Sequence, residues 1–229
     1  MTFAQESMYF GFVLTLLAYL AGVYLKKKTG WAIMNPLLVA SVLLIALLSA
    51  AKIEYQAYNA SAKYISYLLT PATVCLAIPL YKQMELLKQN LAAVVIAILS
   101  GVIESAASIT VLSMAFHLSH EQYVSLLPKS ITTAIAMGVT EEAGGIVTIT
   151  VVCVILTGIL GNMIAESVFR MTKISHPIAR GLAIGTSAHA IGTAKALEMG
   201  EVEGAMSSLS IAVSGLLTVI VVPLVSGLI

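Results

Sequence analysis

A short polar segment in a very apolar chain has the residue types of an anion-binding site. Pro128 is followed at once by one lysine and several hydroxyl residues, namely Lys129, Ser130, Thr132 and Thr133. A helix starting after Pro128 would present unpaired N–H groups, hydroxyls and an ammonium group at its positive end, which suits a carboxylate. The alternative is an ordinary helix cap beside a solvated lysine, although the hydroxyls are more numerous than a cap needs.

A second polar segment surrounds a histidine. Thr186, Ser187 and His189 lie in a glycine-interrupted stretch whose small residues have the spacing of a close helix-packing stripe: Gly181, Gly185, Ala188 and Gly192. His189 could bind a substrate oxygen or carry a proton. The alternative is a packing histidine with satisfied hydrogen bonds. We expect Thr186, Ser187 and His189 to contribute to a binding site.

Two further positions are candidates at membrane depth. Thr73 follows Pro71 in an apolar run, where its hydroxyl could line a site or only satisfy backbone groups that the proline frees. Glu104 lies near the middle of the run 91–116 and could carry a proton, as His189 could. Equally, Glu104 could form a neutral hydrogen bond to a neighbouring helix.

The composition excludes several classes of protein. Of the 229 residues, 59% are hydrophobic and only 10% are charged, with a net charge of +1, which argues against a soluble enzyme, a disordered chain and a nucleic-acid-binding domain. All eleven acidic residues are glutamate, so an Asp-based triad or metal loop is absent from the sequence. Cys75 and Cys153 lack metal-ligand spacing. We expect neither catalysis, nor a cofactor, nor a metal.

The elements that must position these residues are membrane helices. At roughly 20 apolar residues per span, the sequence predicts an all-α, polytopic integral membrane protein with about seven or eight apolar segments. We expect one transmembrane domain over 1–229, built from N-terminal helices (6–63), a first broken-helix unit (64–116), a second (124–169), and a glycine-rich segment with the last helix (178–229). The lysines at 26–28 place their loop in the cytoplasm.

The segment 126–145 is too broken for a simple span. A full crossing there would place Arg170, Lys173 and Arg180 outside, against the positive-inside rule, whereas a re-entrant hairpin keeps them inside. A weak internal repeat relates the segment after Pro71 to the segment after Pro128. Proline-interrupted apolar segments in corresponding places are typical of a transporter's midplane site.

These segments resemble the LrgB/CidB family over about residues 31–226. The resemblance is carried by LLTPATVCLAIPLYK from Leu68, LPKSITTAIA from Leu127, ILGN from Ile159 and ARGLAIGTSAHAIGT from Ala179, with Glu198 and Glu203 beyond. Ala134 stands where some relatives have proline, which makes that half-helix less sharply broken.

The resemblance implies two functions. Some relatives carry small carboxylates such as glycolate, glycerate, pyruvate or lactate, and we expect transport of this class by alternating access. The alternative is a holin/antiholin-type regulator of murein hydrolase activity and cell lysis, working with a small LrgA/CidA-type membrane protein. In either case the resemblance implies a multi-pass protein of the bacterial inner membrane, and we expect a homo-oligomer.

Overall fold

The computed structural model describes residues 9–31, 34–68, 71, 74, 75 and 77–229. Its described elements are helical, and the chain divides into two compact units, residues 1–75 and 76–229. Thr73, one of the predicted site residues, lies outside the described residues.

The described part of the first unit includes α1 (Phe10–Thr29), α2 (Pro36–Ala50) and α3 (Tyr55–Ser66). α1 ends where Gly30 adopts a left-handed conformation (φ 68°), directly after the three lysines. α2 begins with Pro36 in its first turn, and the side chain of Asn35 accepts a hydrogen bond from the Leu37 N–H at 2.9 Å. The Gly11 N–H donates to Ser61 Oγ at 2.7 Å, which joins α1 to α3.

The second unit contains all the other described helices. They are α4 (Ala77–Lys82), α5 (Met84–Gln89), α6 (Leu91–Ala115), α7 (His120–Leu126), α8 (Thr133–Glu142), α9 (Val147–Met171), α10 (Pro177–Met199) and α11 (Glu201–Val225), with a 3-10 turn at Ser226–Leu228.

α7 and α8 form a helical hairpin, called the first hairpin below. The connecting turn (127–132) lies beside the middle of α6, where Ser105 Oγ and Ser130 Oγ are 3.4 Å apart. The chain then returns, because a Cβ placed on Gly145 would lie 2.8 Å from Ser125 Oγ and 3.0 Å from the Val124 side chain. The chain after α8 therefore returns to the side of α7, at the level of Val124 and Ser125.

The helix expected directly after Pro128 begins later, at Thr133. The reason is that the turn continues α7: the Lys129 N–H donates to the Leu126 carbonyl at 3.1 Å. Only at Thr132, whose ψ is 142°, does the chain become extended before α8 starts. Lys129 and Ser130 consequently lie in the turn and not in the first turn of a half-helix.

Buried hydroxyls hold the first hairpin against α9. Ser125 Oγ accepts from the Ile146 N–H at 2.7 Å, and Thr150 Oγ1 donates to the Ser125 carbonyl at 2.9 Å. Thr140 Oγ1 lies 2.8 Å from Thr150 Oγ1, and all three side chains are buried. Each bond satisfies a polar group that would otherwise be costly in an apolar interior.

α10 is itself a hairpin, called the second hairpin below. His189 has non-helical dihedrals (φ 40°, ψ −140°), and the chain reverses there, since a Cβ on Gly192 would lie 3.2 Å from the carbonyl oxygen of Ile184. In a straight helix these two residues would be roughly 12 Å apart. The segment expected to be interrupted between Gly181 and Leu197 is thus two antiparallel arms, residues 177–188 and 190–199.

α11 packs against both arms of the second hairpin. Gly181 and Gly185 lie directly against the backbone of Glu203 and Ser207, with no room for a Cβ, so the first arm runs parallel to α11. On the second arm, Thr193 contacts α11 as well: its Oγ1 lies 2.6 Å from Oγ of Ser207. The predicted stripe of small residues therefore divides: Gly181 and Gly185 face α11, whereas Ala188 faces Gly161 of α9.

The two hairpins approach the middle of this unit from opposite ends. At one end, called the basic end, Leu87, Ile178 and Ala205 share one apolar cluster. The basic residues at or near this end are Lys82, Lys88, Arg170, Lys173, Arg180 and Lys195. At the opposite end, Tyr123 Oη donates to the Val225 carbonyl at 2.9 Å. Apart from Lys129 in the central turn, residues 77–229 carry no lysine or arginine away from the basic end.

Four described helices are long and apolar enough to cross a membrane: α1, α6, α9 and α11. The predicted all-helical membrane class is confirmed at this level, but a count of about seven or eight segments is not. One physical reason is that two of the expected segments, 126–145 and 181–197, form hairpins whose short arms do not span roughly 30 Å of hydrocarbon.

The first hairpin gives a topological prediction. In a variant lacking Cys75 and Cys153, we expect His117→Cys and Glu142→Cys to react with a membrane-impermeant maleimide from the same side, and Lys173→Cys from the other side. All three positions are exposed. Labelling of positions 117 and 142 from opposite sides would show instead that the segment between them crosses the membrane.

Candidate functional site

An open pocket of about 710 Å³ lies between α6 and the first arm of the second hairpin. Asn90 and His176 line it at the basic end, and Lys129 and Ser130 line it at the turn of the first hairpin. The polar residues around it are Asn90, Ser100, Glu104, Ser105, Lys129, Ser130, His176, Thr186 and Ser187. The pocket thus brings together Lys129, Ser130, Thr186, Ser187 and Glu104, which the sequence analysis proposed separately.

Lys129 is the cation of this pocket. Its Nζ donates to Ser130 Oγ at 3.0 Å and to Ser105 Oγ at 3.4 Å, and the side chain is half-buried. Two hydroxyls therefore fix the ammonium group while its third N–H remains available to a ligand. This geometry suits one carboxylate oxygen on the ammonium group and a second polar atom on the neighbouring hydroxyls.

Glu104 is the anion of the same pocket, and its side chain is exposed there. A carboxylate ligand bound at Lys129 would meet like charge from Glu104 unless that residue were protonated. The pairing of one cation with one carboxylate in the same cavity is therefore an arrangement in which ligand binding and protonation can be coupled.

A second, much smaller cavity continues beyond the pocket. Its volume of about 10 Å³ corresponds to roughly one water molecule. It shares Ser105, Ser130 and Thr186 with the pocket, and Ser214 and Thr218 line its other side. The three shared hydroxyl residues are thus a thin barrier between the open pocket and the interior facing α11.

His189 lies on another side of the second hairpin. Its ring is buried against α9, with Nε2 at 2.9 Å from the carbonyl oxygen of Val154. Because a carbonyl can only accept, Nε2 must carry the hydrogen. Gly158 leaves room for the ring, since a Cβ there would lie 2.8 Å from His189 Cε1. His189 thus secures the reversal of the chain, and the residues lining the two cavities do not include it.

Of the remaining predicted residues, Thr132 and Thr133 lie apart from the pocket, whereas Ser187 lines it. Thr132 and Thr133 are half-buried at the start of α8, and neither is among the residues lining the two cavities described above. Ser187 lines the pocket with its hydroxyl donating to the Ala183 carbonyl of its own arm at 2.7 Å. Among the described residues, no cluster of three His, Cys or Glu side chains could hold a metal ion.

Sequence reasoning missed Ser105, Ser214 and Thr218. Ser105 is adjacent to Glu104, a predicted site residue, yet a lone serine in an apolar helix does not by itself indicate a site. The last helix does carry a signal in its sequence. Hydroxyl residues recur there every three or four positions, and all of them are buried on one face of α11: Ser207, Ser210, Ser214 and Thr218.

Comparison with known proteins identifies related chains. Residues 15–228 match the LrgB-like family. Proteins named antiholin-like protein LrgB from Bacillus mycoides (strain KBAB4), Bacillus cereus (strain B4264) and Bacillus anthracis (strain CDC 684 / NRRL 3495) are each 41% identical over 217 residues, covering 94% of both chains. Their names describe antiholin-like proteins and not enzymes. No solved structure shows a significant match to the chain.

The fit of His189 against Gly158 can be tested with matched glycine substitutions. We expect Gly158→Ala to destabilise the protein by about 1–3 kcal/mol, because the added methyl group displaces the imidazole from the Val154 carbonyl. Gly138→Ala is the control: it is also in a helix, but a Cβ there meets nothing within 4 Å, so alanine should be neutral or stabilising. Thermal unfolding in detergent measures the stability of both variants. Equal melting temperatures of Gly158→Ala and Gly138→Ala would contradict the close contact between Gly158 and His189.

Proposed function

Because this chain belongs to the LrgB-like family, we propose that it acts as an antiholin-like protein of the bacterial inner membrane. The observation that carries the proposal is 41% identity to antiholin-like proteins across 94% of both chains, since similarity of this extent covers every helix from α1 to α11. In this role the chain restrains murein hydrolase activity and cell lysis, together with a small LrgA/CidA-type membrane protein.

An autolysis assay tests this role. In a strain lacking the gene, we expect expression of the chain to slow detergent-induced lysis and to reduce murein hydrolase activity in zymograms. The physical expectation is that the assembled helices matter more than the pocket, so Lys129→Gln should restrain lysis as the unaltered protein does. Lysis that is unchanged by expression of the unaltered, membrane-inserted chain would contradict the antiholin-like role.

We also propose a second function, transport of small carboxylates of the glycolate, glycerate, pyruvate and lactate class. The specific observation in its favour is the pocket that contains Lys129, Ser105 and Ser130. Lys129 would pair with the carboxylate, and Ser130 and Ser105 would contact its oxygens. Thr186 and Ser187 on the facing hairpin arm would reach a hydroxyl or keto oxygen of the same ligand.

The two opposed hairpins offer a route for alternating access. The pocket extends from Asn90 and His176 at the basic end to Ser105, Ser130 and Thr186. A small displacement of either hairpin would widen the 10 Å³ cavity beyond these residues, along Ser214 and Thr218. Broken helical segments whose ends lie at the middle of the membrane are where transporters bind their substrates.

Glu104 is the proton-coupling residue that this arrangement favours. It faces the pocket beside Lys129, so its protonation would remove the charge that repels a bound carboxylate. His189, the other candidate, uses its Nε2–H on the Val154 carbonyl, and in this proposal it supports the second hairpin instead.

Uptake into proteoliposomes tests transport. We expect the purified chain, alone or with its small partner, to accumulate labelled pyruvate, lactate or glycolate, and Lys129→Gln to reduce uptake at least tenfold, because the carboxylate loses its cation. Lys82→Gln, an exposed lysine outside the pocket, is the matched control and should retain uptake. Absence of uptake by the unaltered protein would overturn the transport proposal and leave the antiholin-like role unaffected.

A further inference from the structure

A second polar pocket lies at the basic end, outside the site described above. Its volume is about 350 Å³, and it is lined by Glu166, Phe169 and Arg170 of α9, and by Arg180 and Met199 of the second hairpin. Two arginines from different elements therefore face one cavity. Arginine guanidinium groups match the geometry of phosphate oxygens because they donate two parallel hydrogen bonds.

Arg180 is held in place before any ligand arrives. Its Nε donates to the Ile174 carbonyl at 2.8 Å, and its guanidinium lies 5.8 Å from the centre of the Phe169 ring. This hydrogen bond uses one of the five donors of the guanidinium group, which leaves others for a ligand. Arg180 also lies in the first turn of α10, where the helix dipole favours an anion.

The acidic residue of this pocket is paired with a lysine of the second arm of the hairpin. Glu166 Oε1 lies 2.6 Å from Lys195 Nζ, which also lies 3.3 Å from Glu198 Oε2, so one lysine is shared between two glutamates. Arg170, Arg180 and Lys195 still outnumber these two carboxylates. The two arginines therefore give the pocket a positive balance. Lys173, in the loop between α9 and α10, adds a further positive charge nearby.

The depth of the pocket points to a lipid. α9 is one of the helices long enough to cross a membrane, and it ends at Met171, next to Arg170. Because a helix of 25 residues is longer than roughly 30 Å of hydrocarbon requires, we expect Arg170 at its end to lie at the level of the lipid phosphates. We propose that Arg170 and Arg180 bind the phosphate group of an anionic phospholipid, which would join the end of α9 to the base of the second hairpin.

The proposal is tested by thermal unfolding of the full chain in nanodiscs. We expect discs containing phosphatidylglycerol to raise the melting temperature by about 2–4 °C over discs of phosphatidylcholine with the same acyl chains. Arg170→Gln should lose most of this shift. Lys82→Gln, an exposed lysine of α4 near the same end that does not line this pocket, should keep it.

A second measurement separates binding from folding and identifies the source of the phosphate. Native mass spectrometry should show phosphatidylglycerol retained at least fivefold less by Arg170→Gln and by Arg180→Gln than by Lys82→Gln, whereas Arg180→Lys should retain more than Arg180→Gln. Equal shifts and equal retention in Arg170→Gln and Lys82→Gln would overturn the site. An equal melting shift from soluble glycerol 3-phosphate in phosphatidylcholine discs would overturn the lipid assignment.

Discussion

The reversal of the chain at His189 is the constraint on which the second unit depends. A residue with positive φ and a side chain larger than glycine costs about 1–3 kcal/mol, and it persists only where its surroundings hold it. Here the imidazole N–H reaches the Val154 carbonyl, and Gly158 provides the space. If the chain continued straight at this residue, α10 would cross the unit, and the arms that pack against α9 and α11 could not form.

The reversal also explains why the hydroxyl residues meet. The first arm of the second hairpin carries Thr186 toward the turn of the first hairpin, where Ser130 and Lys129 lie against Ser105 of α6. Several hydroxyls of the second unit donate to a carbonyl of their own helix, as Thr186 does to Leu182 and Thr218 to Ser214. The oxygen of such a hydroxyl can still accept a hydrogen bond from a neighbouring group. Polar residues can therefore gather around the turn of the first hairpin while the hydrogens of these hydroxyls remain paired.

Sequence reasoning reached the first hairpin and not the second, for a physical reason. Around residues 126–145 the sequence contains a proline and a glycine pair, which indicate a break. The positive-inside rule, applied to Arg170, Lys173 and Arg180, then favours a hairpin over a full crossing. The stretch around His189 contains no proline, and its glycines predict an interruption without indicating a full reversal of the chain. The reversal is evident only from the dihedrals of His189 and from the approach of Gly192 to the Ile184 carbonyl. The pocket residues Lys129, Ser130, Thr186 and Glu104 could be singled out as polar residues in an apolar chain. Ser105 could not, because a single hydroxyl is tolerated in any membrane helix. Ser214 and Thr218 could have been found, because they recur with Ser207 and Ser210 on one face of α11.

The hydroxyl network that joins Ser125, Thr140 and Thr150 has a consequence for biosynthesis. The first hairpin precedes α9 in the chain, yet Thr140 Oγ1 and the Ser125 carbonyl find their partner in Thr150 of α9. While the ribosome has released only α7 and α8, those groups have water or headgroups as partners, and insertion into hydrocarbon would leave them unsatisfied. We therefore expect the first hairpin to reach its final depth only after α9 has been made, so that this part of the protein assembles in an order different from the order of synthesis.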